Sequence, residues 1–193
     1  ERGMPADGRW RDRLALAHTA DDQAETVLMR LLRGAGPTGL TAIPMTRPLG
    51  TLQIIRPLLG VWRREIMAYV AEQHLNVREA RTNEDPRFLR NRIRGHLLPL
   101  LERDYNPNIK VLLSQLADQC RAEVAFLQGV AERYWKRLVK CREGHCEIRI
   151  AGFLDQPTAV QRQLVRSVVQ RLQGDLDRFE FRHWLEIERL FTG

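Results

Sequence analysis

A short apolar run, Leu14–Ala17 (LALA), ends on His18 and passes at once into Thr19-Ala-Asp-Asp-Gln-Ala-Glu. This junction constrains the fold more than any other feature. A continuous apolar run flanked by charge reads as a buried parallel strand. Thr19 followed three residues later by Asp22 forms a capping box that starts a helix. Val27, Leu28, Leu31 and Leu32 supply that helix with an apolar face, and Gly34 ends it. A strand feeding a helix through polar residues is the unit of an α/β sheet, where ligands sit at the strands' carboxyl ends.

The rest of the first half fits that class. Residues 35–51 are rich in Gly and Pro and read as a long loop. Residues 52–57 (LQIIRP) form a second short strand stopped by Pro57, and Val61 to Leu75 carry Ile66, Tyr69 and Val70 at helical spacing. Asn83 to Asp85 is a turn. Asp85 caps a helix opened by Pro86, with Leu89, Ile93 and Leu97 on one stripe and Pro99 kinking or ending it.

Residues 102–108 (ERDYNPN) mark a boundary. Beyond it a long helix runs to about Lys140, with Ile109, Leu112, Leu116, Cys120, Leu127 and Tyr134 facing inward. A turn and one strand follow, then a helix from Asp155 and Pro157 with Val160, Leu164, Val168 and Leu172 at steps of four, then a last helix over 178–191. The expected division is residues 1–104, α/β, and residues 105–193, a mainly helical domain.

Charge narrows the partners. The net charge is +7, and of the 31 basic residues only Lys110, Lys136 and Lys140 are lysine. A basic, arginine-rich chain favours an anionic partner, nucleic acid first. Cys120, Cys141 and Cys146 are too few and too irregularly spaced for a disulfide framework and contain no C-x-x-C pair. That fits a reducing cytoplasm. No apolar run has transmembrane length. Glu1 in first place and the loop-like start suggest a chain entered part-way through.

Two clusters can carry chemistry. His18 stands at the strand tip, and Asp21, Asp22 and Glu25 share a face of the first helical turns. Helix-dipole stabilisation, about 0.3–1 kcal/mol each, accounts for Asp21 and Asp22 but not for His18 or Glu25. Such a set can hold a divalent cation, bind an ammonium group or orient a base. The second cluster, Arg87, Arg90 and Arg94, recurs on one face of the RFLRNRIR segment. It reads either as a solvated face or as a phosphate clamp. The GAGPTG segment lacks the Lys and Ser/Thr of a Walker loop.

In order and spacing, HTADDQAETVLMRLLRGAGPTGL, IIRPLL and NEDPRFLRNRIR resemble the tRNA(Ile)-lysidine synthetase family. That family belongs to the N-type ATP pyrophosphatases of the PP-loop superfamily, with a Rossmann-like fold. The resemblance covers roughly residues 14–102; the second half matches only in being helical and basic. It implies use of ATP and Mg²⁺ to adenylate the wobble cytidine of tRNA(Ile) with a CAU anticodon. The amine of free L-lysine then displaces AMP to give lysidine.

Residue by residue, it implies catalytic roles for His18, Asp22 and Arg94. It gives Asp22 and Glu25 the lysine's cationic groups, and Arg90, Asn91 and Arg94 the phosphates or developing charge. Asp21 and Asp22 are candidates for metal, and Arg92 falls at a variable position. It further implies a cytoplasmic protein with no membrane partner, for which a homodimer is an expected assembly. The family's S-G-G-x-D-S phosphate loop is absent from these residues, so this chain by itself is expected to form no lysidine.

Two other readings stay open. One is a tRNA 2-thiolation enzyme of the same superfamily; the other is a non-catalytic RNA-binding module. The series Arg162, Arg166, Arg171, Arg178 and Arg182 suggests that the helical half contacts tRNA.

Overall fold

A computed structural model describes residues 12–77, 85, 87–174 and 181–192. Two compact units divide inside one long helix, at Arg121/Ala122. The boundary expected at 104/105 falls in the loop between two helices of the first unit.

The first unit is built on a three-stranded sheet. β1 (Arg13–Ala15) pairs in parallel with β3 (Leu52–Ile55), and β2 (Thr46–Leu49) pairs antiparallel with β3 on its other side. The strand expected at 14–17 is thus one residue earlier. It is also exposed rather than buried, because it lies at an edge of this sheet. The expected loop over 35–51 conceals a hairpin. Gly50, at φ +56°, opens the two-residue turn to β3, and Pro48 is tolerated because β2 is also an edge strand.

α1 (Ala20–Leu32) begins on the capping box as read from the sequence. The Asp22 N–H donates to Thr19 Oγ1, and the Thr19 N–H donates to Asp22 Oδ2 at 2.8 Å. It ends on Gly34 at φ +77°, whose N–H reaches Leu31 O while the Ala35 N–H reaches Arg30 O, the paired bonds of a Schellman motif. The buried face is Ala20, Ala24, Val27 and Leu28; Leu31 and Leu32 are exposed, since the last turn runs past the core.

After α1, Gln23 accepts from the Ile43 N–H at 2.9 Å and Arg30 donates to Gly39 O at 2.6 Å and to Ala42 O at 3.2 Å. These bonds pin the segment around α2 (Pro37–Leu40) against α1. α3 (Arg63–Glu72) follows β3 as expected, with Ile66 and Val70 half-buried but Tyr69 exposed.

The arginine-bearing helix departs from expectation. Asn83 and Pro86 lie outside the described residues, and Asp85 binds Arg87 instead of capping. α4 (Leu89–Arg92) runs into a π-helical turn (Ile93–Leu97) and then α5 (Leu98–Asp104). Pro99 neither ends nor breaks this run. Proline lacks an N–H and its ring clashes with the carbonyl four residues back, and the widened turn, closed by Leu98 N–H to Ile93 O, comes immediately before it.

The core gathers Ala24, Val27, Leu28, Ala42, Ile93, Leu98, Leu113 and Ala117. Each large side chain there contributes about 1.5–3 kcal/mol by burial. α6 (Ile109–Leu138) buries Leu113, Ala117, Cys120, Val124, Ala131 and Leu138. Leu112, expected inside, is 45% exposed, one position off that stripe.

The second unit holds the remainder of α6, a hairpin, and α7 (Ile150–Leu154), α8 (Thr158–Gln173) and α9 (Phe181–Thr192). Where one strand was expected there are two, β4 (Val139–Arg142) and β5 (His145–Ile148), joined through Gly144 at φ +78°. Their register sets Cys141 opposite Cys146, with Cα atoms 4.1 Å apart and a disulfide between them. This corrects the reading of unconnected cysteines: a hairpin brings together what a C-x4-C spacing hides. α7 was not foreseen, and Asp155 ends it rather than starting α8. In α8, Val160, Leu164 and Val168 enter a core with Phe153 and Trp184, while Leu172 is exposed. No helix among the described residues is long and apolar enough to cross a membrane.

Candidate functional site

The first turn of α1 and the α4–π segment face each other across the first unit, and their charges meet. Arg94 Nε donates to Glu25 Oε1 at 2.6 Å, and Arg94 Nη2 reaches Glu25 Oε2 at 2.9 Å and Asp22 Oδ1 at 3.2 Å. Arg90 Nε donates to Glu25 Oε2 at 3.0 Å and Arg90 Nη2 to Asp22 Oδ1 at 2.7 Å. Glu25 is 3% exposed, Asp22 18% and each arginine 37%, so water reaches the guanidinium side more than the carboxylate side. Hydrogen bonding by Glu25 comes first among the causes that raise Arg94 above its ordinary value, and the charges of Asp22 and Asp21 add to it.

Each side chain is delivered by local structure. The capping box fixes Asp22, because Oδ2 accepts from both the Thr19 N–H and the Thr19 hydroxyl. Glu25 lies three residues further on, on the same face. Arg90 and Arg94 are four apart and reach the acids together. Ile93, almost fully buried between them in sequence, anchors their turn in the core.

The lone pairs of Asp22 are all committed: two bonds at Oδ1 and two at Oδ2. Two acids and two arginines thus neutralise one another, in a form that an added anion or an added cation can open.

The other sequence candidates distribute as follows. His18 follows the β1 segment and directly precedes the Thr19 cap, and its Nδ1 accepts from Arg56 Nε at 3.3 Å. Asp21 turns to α3, accepting the Arg63 N–H at 2.8 Å, with Lys110 Nζ 3.8 Å away. Asn91 donates to Asp85 O at 2.9 Å and so fixes the approach to α4. Arg87 does not join Arg90 and Arg94: it precedes α4, is 86% exposed and pairs with Asp85, which it holds below the usual carboxylate range. Arg92 is exposed.

As metal ligands, Asp21 and Asp22 form a poor donor set here, because a backbone amide and an ammonium group occupy one and two guanidinium groups the other. No group of three or more metal-ligating side chains occurs among the described residues.

In the second unit, the Arg162 guanidinium stacks 5.0 Å from the Phe181 ring and 5.3 Å from the Trp184 ring. Burial holds Arg166 below its ordinary value, Arg171 is exposed, and Arg178 lies outside the described residues.

Sequence reasoning missed Arg56, which is 7% exposed and also donates from Nη1 to Pro44 O at 2.7 Å. Burial, then the charge of Arg47, lowers its pKa from the ordinary value. The signal was an arginine closing an apolar strand just before Pro57.

A family model for the PP-loop domain matches residues 9–101. The chain is 41% identical over 172 residues to a tRNA(Ile)-lysidine synthase of Solibacter usitatus, covering 89% of this chain and 38% of that relative. A tRNA(Ile)-lysidine synthase of Geobacter sulfurreducens is 40% identical over 179 residues, 92% of this chain and 37% of the relative. One of Synechocystis sp. is 34% identical over 180 residues, 90% of this chain and 52% of the relative. The chain therefore spans roughly two fifths to half of the length of these curated relatives.

Proposed function

We propose that the chain, whose residues 9–101 match the PP-loop domain model, is part of a tRNA(Ile)-lysidine synthase. The reaction is adenylation of the wobble cytidine of tRNA(Ile) with a CAU anticodon, in which the cytidine oxygen takes AMP from ATP as the α–β phosphoanhydride bond breaks and pyrophosphate leaves. Attack by the amine of free L-lysine on the activated carbon follows, with departure of AMP. ATP is the activating co-substrate. As they stand, Asp21 and Asp22 are paired with protein donors and make a poor donor set for Mg²⁺.

The observation that carries the reading is the four-charge cluster. A reaction that unites an anionic nucleotide with a cationic amino acid needs sites for both signs within reach of each other. Asp22 and Glu25 supply the carboxylates for the ammonium groups of lysine, and Arg90 and Arg94 supply planar forks for phosphoryl oxygens. With no substrate present the two sets satisfy each other. An arriving phosphate competes for the guanidinium groups and releases acceptor positions on the acids, which the ammonium of lysine then takes. Arg94, the more tightly paired arginine, faces the charge that develops as AMP leaves. Asn91 acts through the chain, holding the segment ahead of α4. The second unit adds tRNA contacts through exposed arginines such as Arg171.

The test uses the complete protein carrying Asp22→Asn. Lysine transfer should fall at least about 100-fold, as when a charged group acting on the transition state is lost, while tRNA affinity at fixed salt changes less than twofold. Equal loss of both would make the cluster a structural ion pair.

A further inference from the structure

The strongest feature outside the charge cluster is a buried cation whose described side-chain hydrogen bonds go to no carboxylate. Arg56 gives its Nη1 proton to Pro44 O and its Nε proton to His18 Nδ1. Its backbone N–H donates to Met45 O at 2.9 Å, and the Leu16 N–H donates to Ile55 O at 2.9 Å. The parallel register of β1 and β3 therefore carries Arg56 to the level of the chain just before His18. Placing a guanidinium here costs free energy through desolvation, and burial indeed pulls its pKa down.

We propose that Arg56 is a positioning residue that fixes His18 in the neutral Nε2–H tautomer, making His18 a hydrogen-bond donor rather than a base. A guanidinium N–H only donates, so the ring nitrogen facing it presents a lone pair. In a neutral imidazole the other nitrogen then carries the proton. What remains for chemistry is one N–H at Nε2, suited to a phosphoryl oxygen or to the charge forming on it. The inference rests on reading His18 as part of the reaction site. It adds a residue 38 positions away in sequence that sets how His18 acts.

The test is nitrogen NMR of the chain labelled with 15N-histidine, using two-bond correlations to the imidazole carbons' protons. The His18 signals are assigned by their loss in His18→Gln. The expected pattern is a protonated Nε2 and an unprotonated Nδ1 for His18, changing to a mixture of tautomers in Arg56→Met and in Arg56→Gln. Either variant suffices, provided far-ultraviolet circular dichroism shows it folded. In the complete protein the same substitutions should lower kcat about 10- to 100-fold, by analogy with the outer partners that orient metal-bound histidines, with KM for lysine within twofold.

A protonated Nδ1 in the unsubstituted chain overturns the proposal. So does an unchanged tautomer in a folded Arg56 variant, even where turnover falls. Absence of lysidine formation by the unsubstituted complete protein would count against the proposed function alone, because the tautomer is read without turnover.

Discussion

Glu25→Gln isolates the energy of the four-charge cluster. Glu25 accepts three charge-assisted hydrogen bonds at 2.6, 2.9 and 3.0 Å from a position 3% exposed. Removing one member of a fully buried pair costs about 3–5 kcal/mol. Both arginines are 37% exposed, Asp22 stays to receive part of their charge, and the Gln carbonyl keeps one acceptor. Discounting for solvent screening leaves about 2–3 kcal/mol.

The right readout is amide hydrogen exchange at Val27 and Leu28 of α1, because the chain has two units and a single global transition would mix them. Exchange there should accelerate about 30- to 150-fold. Combined with Arg94→Gln in a double-mutant cycle, the coupling should be about 1.5–3 kcal/mol. Arg94 has its pKa raised in the folded state, so its contribution is fully present below the unfolded value and lost only as pH climbs through the higher folded one. The coupling should therefore be level between about pH 6 and 10. A Glu25→Gln change under about 0.5 kcal/mol, or coupling indistinguishable from zero, would refute the account of these charges as one unit.

Thr19→Ala removes the side-chain half of the capping box and should cost about 1 kcal/mol, seen as faster exchange in the first turn of α1. Gly39→Ala places a methyl 2.7 Å from Ala35 Cβ and should destabilise the α2 segment by about 1–3 kcal/mol, read as faster amide exchange at Leu40 and Thr41, with Ala35→Gly in the same chain restoring most of it. Asp85 is held below the usual carboxylate range by Arg87, so its bond is intact above the ordinary value and is lost as pH falls through the depressed one. The Arg87 Nε–H resonance should move at that lower pH, and in Asp85→Asn it should show no such step.

The parts legible in the sequence are those set by bonds between near neighbours. The Thr19–Asp22 capping box, Gly34 at the helix end and the Val160, Leu164 and Val168 steps of four in α8 obey local rules, and each stands in the structure. The acids and arginines could be paired as candidates from type and spacing, but nothing local says that Arg90 and Arg94 should reach Asp22 and Glu25. That meeting depends on how Ile93 and Leu98 seat the second helix against Ala24 and Val27.

Three features were hidden because they need a partner strand or an irregular turn. β2 looked like loop, since Pro48 is acceptable only at an edge. Cys141 and Cys146 looked unrelated until a hairpin set their register. The helix through Pro99 looked broken, since only a π-helical turn lets it continue. Arg56 was missed because its importance lies in the ring it touches, 38 residues away.

The π-helical turn also gives this stretch one residue more than an ordinary helix would need for the same rotation. Excising Gly95, whose missing side chain faces open space, would let residues 89–104 wind as a regular coil. Positions downstream would keep their facing, because a five-residue π turn covers about the same rotation as four residues of α-helix. Pro99, however, would meet the carbonyl four residues back without the widened turn before it. The surplus residue thus makes room for the proline while the charged and greasy sides of one rod stay aimed at their separate targets.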